Sequence, residues 1–344
     1  MTTASGDLTV VCAADDAFAM PLAVTVRSAL EKLDSTRRLQ LYILDGGITD
    51  ASKQRLLASW NLRDVSVHWL RPDPSLVNDL YISRHVNFIT YYRLLMPWVL
   101  PSEVERVIFL DADLLVRRNL AELWDHDQQG AACLAAADTG APYIDAQVAL
   151  RNYDRCHRFL VASQPVPNYR ELGLSPTGKY FNAGVLVVDI KEWRKLDVTT
   201  AALRCLRQHS QHVQWWDQYA LNVVLAGRWK ELDARWNQGV HAYTFPTAGE
   251  SPLEPEVYSA LRRDPWIVHF TSQKKPWHYF CRHPFRREYL AAIDRTDWRG
   301  WRPEFPERDG MRQWWQHQIA PLRHAVKVGV VRAKRLTRSR RTAA

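Results

Sequence analysis

The sequence predicts an α/β fold: a mixed, mostly parallel central sheet flanked by helices, followed by a helical basic tail. Short apolar, β-branched segments alternate with amphipathic helical ones from the amino-terminal end onward, the pattern of parallel β-α-β units. One of those segments, Arg106–Leu110, runs directly into Asp111-Ala112-Asp113, as a buried strand does when it delivers polar groups to a ligand-binding sheet edge. Beyond Arg308 the acidic residues thin out and stop, which marks the end of the folded body.

Taken in order, Leu8–Ala13 reads as the first strand, with Asp15-Asp16 after it and a helical pattern over Phe18–Leu33. Leu39–Leu44 is the second strand, and Thr49–Trp60 a helix opened by a capping threonine. Val65–Leu70 is the third strand. Asn87–Met96 reads as a helix that stops before Pro97. After Arg106–Leu110 come a short helix at Asn119–Trp124 and a buried strand at Ala131–Ala137. Residues 139–180 are loop-rich with helical pieces. Phe181-Asn182-Ala183-Gly184 then leads, as a turn, into an apolar strand at Val185–Ile190. Helices at Thr199–Gln211 and Trp216–Leu225 and a late strand at Ile267–Phe270 complete the body.

Asp111 and Asp113 read either as a solvated turn capping the strand or as a metal site. Residues two apart on extended backbone point the same way, so both carboxylates can address one cation. Hard oxygen ligands suit Mg²⁺ or Mn²⁺, ions that bridge protein carboxylates to a substrate diphosphate.

Composition narrows the function classes. Apolar residues make up 47% of the chain and charged ones 24%, as in packed globular proteins. The net charge is +9, and the segment Gly310–Ala344 holds nine Lys and Arg with no acid, so the body is formally neutral and not a nucleic-acid reader. Five widely spaced cysteines without a Cys-x-x-Cys suggest reduced thiols and a cytoplasmic location. The first residues lack a basic signal-peptide start, and no apolar run has membrane-spanning length. The 15 tryptophans are read as packing residues rather than as a sugar platform. In the tail, Leu322, Val326, Val330, Ala333 and Leu336 share one helical face. Arg323, Lys327, Lys334, Arg338 and Arg341 share another, and Trp314 and Trp315 lie upstream. Such a helix suits an anionic membrane surface, here the inner face of the cytoplasmic membrane.

Several segments, in this order, resemble glycosyltransferase family 8. They are Ala13-Ala14-Asp15-Asp16, Thr90-Tyr91-Tyr92-Arg93-Leu94, Val107 through Asp113, Phe181-Asn182-Ala183-Gly184, Asp217-Gln218, and His269 through Trp277. The likeness is strongest toward the bacterial lipopolysaccharide α-galactosyltransferases and covers roughly residues 8–280. It implies a GT-A fold with the catalytic domain over 1–308, a donor part at about 8–137, an acceptor part at about 138–308, and the tail at 309–344. It also implies a UDP-glucose or UDP-galactose donor, Mn²⁺ (Mg²⁺ as an alternative), retained anomeric configuration, and a saccharide or lipid-linked glycan acceptor.

The resemblance carries residue roles as well. Asp111, Asp113 and His269 are implied as metal ligands, with Ala112 counted among the donor contacts. Ala13 and Asp15 fall where uracil is held, and Arg93 and Lys275 where the diphosphate is approached. Asn182, Ala183, Asp217 and Gln218 match positions around the transferred sugar, and His85 matches an acceptor-side position more loosely. Ser272 replaces a glycine beside the diphosphate, and Ala17 stands where relatives often carry Asn. Asp15 reads equally well as a helix N-cap.

Retention admits a carboxylate nucleophile or attack by the acceptor from the face that UDP leaves. The position below the sugar is Gln218, a poor nucleophile, which favours front-face attack, with Asp217 and Asp138 as the acids to test. Two other functions compete: a haloacid-dehalogenase-like phosphohydrolase, disfavoured by Leu115 where that class wants Thr or Val, and a catalytically idle UDP-sugar-binding protein.

Overall fold

The computed structural model describes residues 6–34, 36–60, 63–82 and 87–305. His85 and the basic tail lie outside the described residues. Ten strands occur among them: β1 (Leu8–Ala14), β2 (Leu39–Asp45), β3 (Val65–Leu70), β4 (Arg106–Leu110), β5 (Leu114–Val116), β6 (Cys133–Ala137), β7 (Phe181–Asp189), β8 (Trp229–Glu231), β9 (Gln238–Gly239) and β10 (Ile267–His269). Seven form one sheet in the order β3-β2-β1-β4-β7-β6-β8, and the remaining three form a small sheet, β5-β10-β9.

The large sheet is mixed and mostly parallel, as expected. Pairs β1–β2, β2–β3, β1–β4 and β6–β8 are parallel. Only β7 runs against its neighbours β4 and β6. Both faces are covered, so side chains that alternate along a strand enter two apolar clusters. Val10 and Cys12 lie in one and Val11 in the other; Ile108 and Leu110 in one and Val107 and Phe109 in the other. This two-sided burial explains why these strands read as unbroken apolar runs.

Three placements matter for function. Strand β1 has β2 on one side and β4 on the other, so the strand order reverses there, and the carboxyl ends of β1 and β4 flank the crevice where α/β sheets bind ligands. The antiparallel pairing of β7 with β4 sets the start of β7 beside the end of β4, where the Asp111 amide donates to the Gly184 carbonyl at 2.8 Å. In the small sheet, His269 on β10 pairs antiparallel with Leu114 and parallel with Gly239.

Several expectations need correction. Residues Phe88–Leu95 form 3-10 turns, not an α-helix, and a short helix, Met96–Val99, follows with Pro97 inside its first turn. Proline is tolerated there because the first-turn amides have no intrahelical acceptor in any case. Phe181–Gly184 is the beginning of β7 itself rather than a turn before a strand. Asp111-Ala112-Asp113 is a turn between β4 and β5 rather than extended backbone. The helices Ile190–Lys195, Pro255–Arg263 and Arg286–Ile293 were not anticipated. All five cysteines are buried free thiols, as their spacing suggests. Trp193 and Trp236 are fully buried, in line with a packing role.

Candidate active site at the carboxyl ends of β1 and β4

The turn after β4 is held from behind by the helix Ala19–Lys32. The Thr25 hydroxyl lies 2.9 Å from the Ala112 carbonyl and accepts from the Leu114 amide at 3.0 Å. Ser28 accepts from the Val116 amide at 3.0 Å. These bonds fix a tight turn that sends both carboxylates to the same side, the result that extended backbone would have given by alternation.

Across from the turn stands His269, 4% exposed. Its Nε2 is 3.5 Å from Asp111 Oδ2 and 3.3 Å from Asp113 Oδ1. One ligand atom from each of the three residues lies within 4.8 Å of the others. Two carboxylate oxygens and one imidazole nitrogen form a donor set for Mn²⁺ or Mg²⁺ with room for further oxygen ligands. Gly184 makes the approach possible, since a Cβ there would lie 2.6 Å from Asp111 Oδ2 and overlap the His269 ring.

Cationic side chains close the cluster. Lys275 Nζ reaches Asp113 Oδ2 at 2.6 Å and donates to the Phe270 carbonyl at 2.7 Å. Burial opposes the charge of Asp113, but Lys275 and His269 outweigh it and hold the carboxyl well below the usual range. Arg93, 6% exposed, donates to Asp111 Oδ1 at 2.6 Å, to the Ala183 carbonyl, and pairs with Asp217 Oδ2 at 2.9 Å. Its guanidinium also lies over the Phe109 ring, 4.5 Å from the centroid.

The positions expected around the transferred sugar form a second group. Asp217 is buried, and its other oxygen accepts from Thr90 at 2.7 Å. Burial pushes its pKa up against the pull of Arg93 and Thr90. Both Asp217 oxygens are thus engaged, one by Arg93 and one by Thr90. Asp217 follows Trp216, whose φ of +37° is left-handed, a conformation that costs a bulky residue about 1–3 kcal/mol. Gln218 accepts from the Ala183 amide at 3.1 Å and donates to Asp138 Oδ2 at 3.2 Å. Asp138 Oδ2 also accepts from Asn182 at 2.8 Å, while its Oδ1 takes the Gly140 and Ala141 amides at 2.8 and 3.2 Å. Asp138 is thus an anchor for two amides.

The predicted positions therefore gather as two adjoining groups: Asp111, Ala112, Asp113, His269, Lys275 and Arg93, then Asp138, Asn182, Ala183, Asp217 and Gln218. Ala13 ends β1 beside Leu44. Asp15 is the N-cap of the turn Asp16–Phe18 and also accepts from Asn87, so it ties β1 to the segment that carries Arg93. Ser272 points its hydroxyl at its own loop, 3.0 Å from the Lys274 carbonyl. Sequence reasoning missed Thr25, Thr90 and Asn237. Only Thr90 carried a signal, its place three residues before Arg93.

Residues 9–281 match the sequence model of glycosyl transferase family 8. General stress protein A of Bacillus subtilis is 30% identical over 84% of this chain and 94% of its own length. The lipopolysaccharide 1,2-glucosyltransferase of Escherichia coli is 25% identical over 61% of this chain and 55% of its own length. A crystal structure of the galactosyltransferase LgtC with donor and acceptor sugar analogs superposes with a TM-score of 0.69, over 88% of this chain and 99% of that one. At 23% identity that likeness establishes the fold, which is GT-A-type. The chain belongs to glycosyltransferase family 8, and this membership leaves the phosphohydrolase and idle-binder readings without support.

Proposed function

We propose that this glycosyltransferase moves a hexose from UDP-glucose or UDP-galactose to a saccharide on a lipid-linked glycan, with retention of anomeric configuration. The observation that carries the reading is the convergence of Asp111, Asp113 and His269 on one point, at the crevice where the strand order reverses. Mn²⁺ held by those three residues would supply Lewis-acid stabilisation of the departing UDP.

The chain's own residues do the rest. Lys275 and Arg93 bring positive charge to the place where the diphosphate gains negative charge. Asp15 and Ala13, at the end of β1, would receive the base. Gln218 and Asn182, both anchored on Asp138, keep amide hydrogens for the hydroxyls of the sugar. The engagement of Asp217 and Asp138 by other groups favours attack by the acceptor hydroxyl from the face that UDP leaves, over double displacement. The relatives of lipopolysaccharide synthesis support a glycolipid acceptor. Among the described residues no helix is long and apolar enough to cross a membrane. The basic amphipathic tail at 309–344 is the element proposed to hold the 1–308 domain to the anionic inner face of the cytoplasmic membrane.

A panel of UDP-sugars assayed for Mn²⁺-dependent UDP release tests this reading. UDP-glucose or UDP-galactose is expected to turn over slowly even without acceptor. Folded protein that releases UDP from no sugar nucleotide with any divalent ion would refute it.

A further inference from the structure

We infer that Asn237 is the positioning residue of the metal centre: two neutral amides, Asn182 and Asn237, run from Asp138 to His269, fix the tautomer of the neutral histidine and tie the sugar side of the site to the metal side. The inference deepens the proposed function and rests on its metal-site reading.

The direction of each bond can be worked out. A backbone N–H can only donate and a carboxylate only accepts. The Gly184 amide lies 3.0 Å from Asn182 Oδ1, and Asp138 Oδ2 lies 2.8 Å from Asn182 Nδ2, so the orientation of the Asn182 amide is set at both ends. Its oxygen then requires a donor from Asn237, which presents Nδ2 at 2.9 Å. Asn237 is thereby obliged to turn Oδ1 toward His269 Nδ1, 2.8 Å away. An amide oxygen accepts only, so Nδ1 always carries a proton, and when the ring is neutral it is Nε2 that offers a lone pair toward Asp111 and Asp113. That tautomer is the one a metal ligand needs, and a buried acceptor on the far nitrogen is the usual way of enforcing it.

The fold puts Asn237 in this place and closes it off. It is 2% exposed and immediately precedes β9, whose parallel pairing with β10 sets Gly239 opposite His269. A reversed Asn237 would set two amide oxygens against each other. Gln218 shares Asp138 Oδ2 with Asn182, so reorientation at the sugar side is felt at the histidine.

Nitrogen-15 NMR of the metal-free wild-type protein, labelled at histidine and assigned with His269→Ala, reads the tautomer without any change to Asn237. The Nδ1–H form is expected once the ring has lost its second proton. Asn237→Ala is expected to lose the single tautomer and to weaken Mn²⁺ binding by about 10- to 100-fold in a donor-free titration followed by electron paramagnetic resonance. Asn237→Asp keeps an acceptor for Nδ1 but loses the donor to Asn182. It is expected to retain the Nδ1–H form and Mn²⁺ affinity while lowering kcat. An Nε2–H tautomer in the wild type overturns the inference, as does folded Asn237→Ala that binds Mn²⁺ as the wild type does. Should Asn237→Ala not fold, the wild-type tautomer and Asn237→Asp still decide. A wild-type protein that shows the expected tautomer yet binds no Mn²⁺ would count against the metal reading alone.

Discussion

Around Asp111, Asp113, Arg93 and Lys275 the contacts are charge on charge, whereas beyond the Asp138 carboxylate they pass through the amides of Asn182 and Asn237. The two regions adjoin at Gly184 and at His269, yet they solve different problems. The charged side must make a buried negative centre tolerable and ready for a cation, and only full charges at short range do that. The amide side must set directions, and neutral groups with one donating and one accepting end carry direction that a carboxylate or an ammonium does not. The difference teaches that loss of charge in this site should be expensive in free energy, while loss of an amide should mainly disturb geometry.

The comparison is sharpened most by removing a ligand from the charged side. Asp113→Asn is expected to lower Mn²⁺-dependent turnover about a thousandfold, the scale of several kcal/mol of charge stabilisation, and Lys275 would lose its charged partner. A UDP-release assay that finds less than a tenfold loss would break the contrast. Next, Arg93→Met leaves Asp111 and Asp217 facing each other without their shared cation. Urea unfolding should register about 3–5 kcal/mol of destabilisation.

Gly184→Ala probes the seam between the two regions. The added methyl must displace Asp111 or His269, at a cost of about 1–3 kcal/mol of overpacking, and donor-free Mn²⁺ affinity should fall with it. Unchanged affinity would mean the two regions are less tightly joined than the geometry requires.

The smallest effect at neutral pH concerns His283, a second buried imidazole behind the site, with its ring centroid 4.7 Å from that of Phe270. Burial lowers its pKa from 6.5 to about 4. The folded value is depressed, so the unfolded chain takes up a proton first as the pH falls. Its contribution is therefore complete above pH 6.5 and is lost progressively toward pH 4. His283→Phe should flatten that acid loss in a pH series of thermal midpoints and leave Mn²⁺ binding untouched. A fall in Mn²⁺ binding would show that an imidazole needs no carboxylates beside it to matter here.

The strands that carry the site were legible because two covered faces write long apolar runs into β1, β2 and β4, and because Asp-x-Asp follows one of them directly. His269 was legible only through its company, Lys-Lys-Pro-Trp at a fixed distance. On the amide side Asn182, Gln218 and Asp138 were legible through their motifs, but Asn237 was not. Strand β10 was read from its apolar run, but β9 has two residues and β5 three, too few for any periodicity to register. Asn237 sits before the shortest of them, and its role depends on which neighbour each end of the amide meets, a property of the folded pairing alone. The turn at Asp111–Asp113 shows the reverse case: the carboxylates do converge, but through Thr25 gripping a bend from the helix behind rather than through strand alternation.

The Lys275 ammonium on Asp113 has a consequence for the life of the protein before it meets any ion. The two residues are 162 positions apart, and their union gives a carboxylate with little access to water a counter-charge supplied from within the chain. Folding need not wait on the proposed cation, because an internal placeholder keeps the cavity tolerable. A lysine on a long, supple stem can also step aside for an incoming ion, where a rigid guanidinium fork would resist eviction.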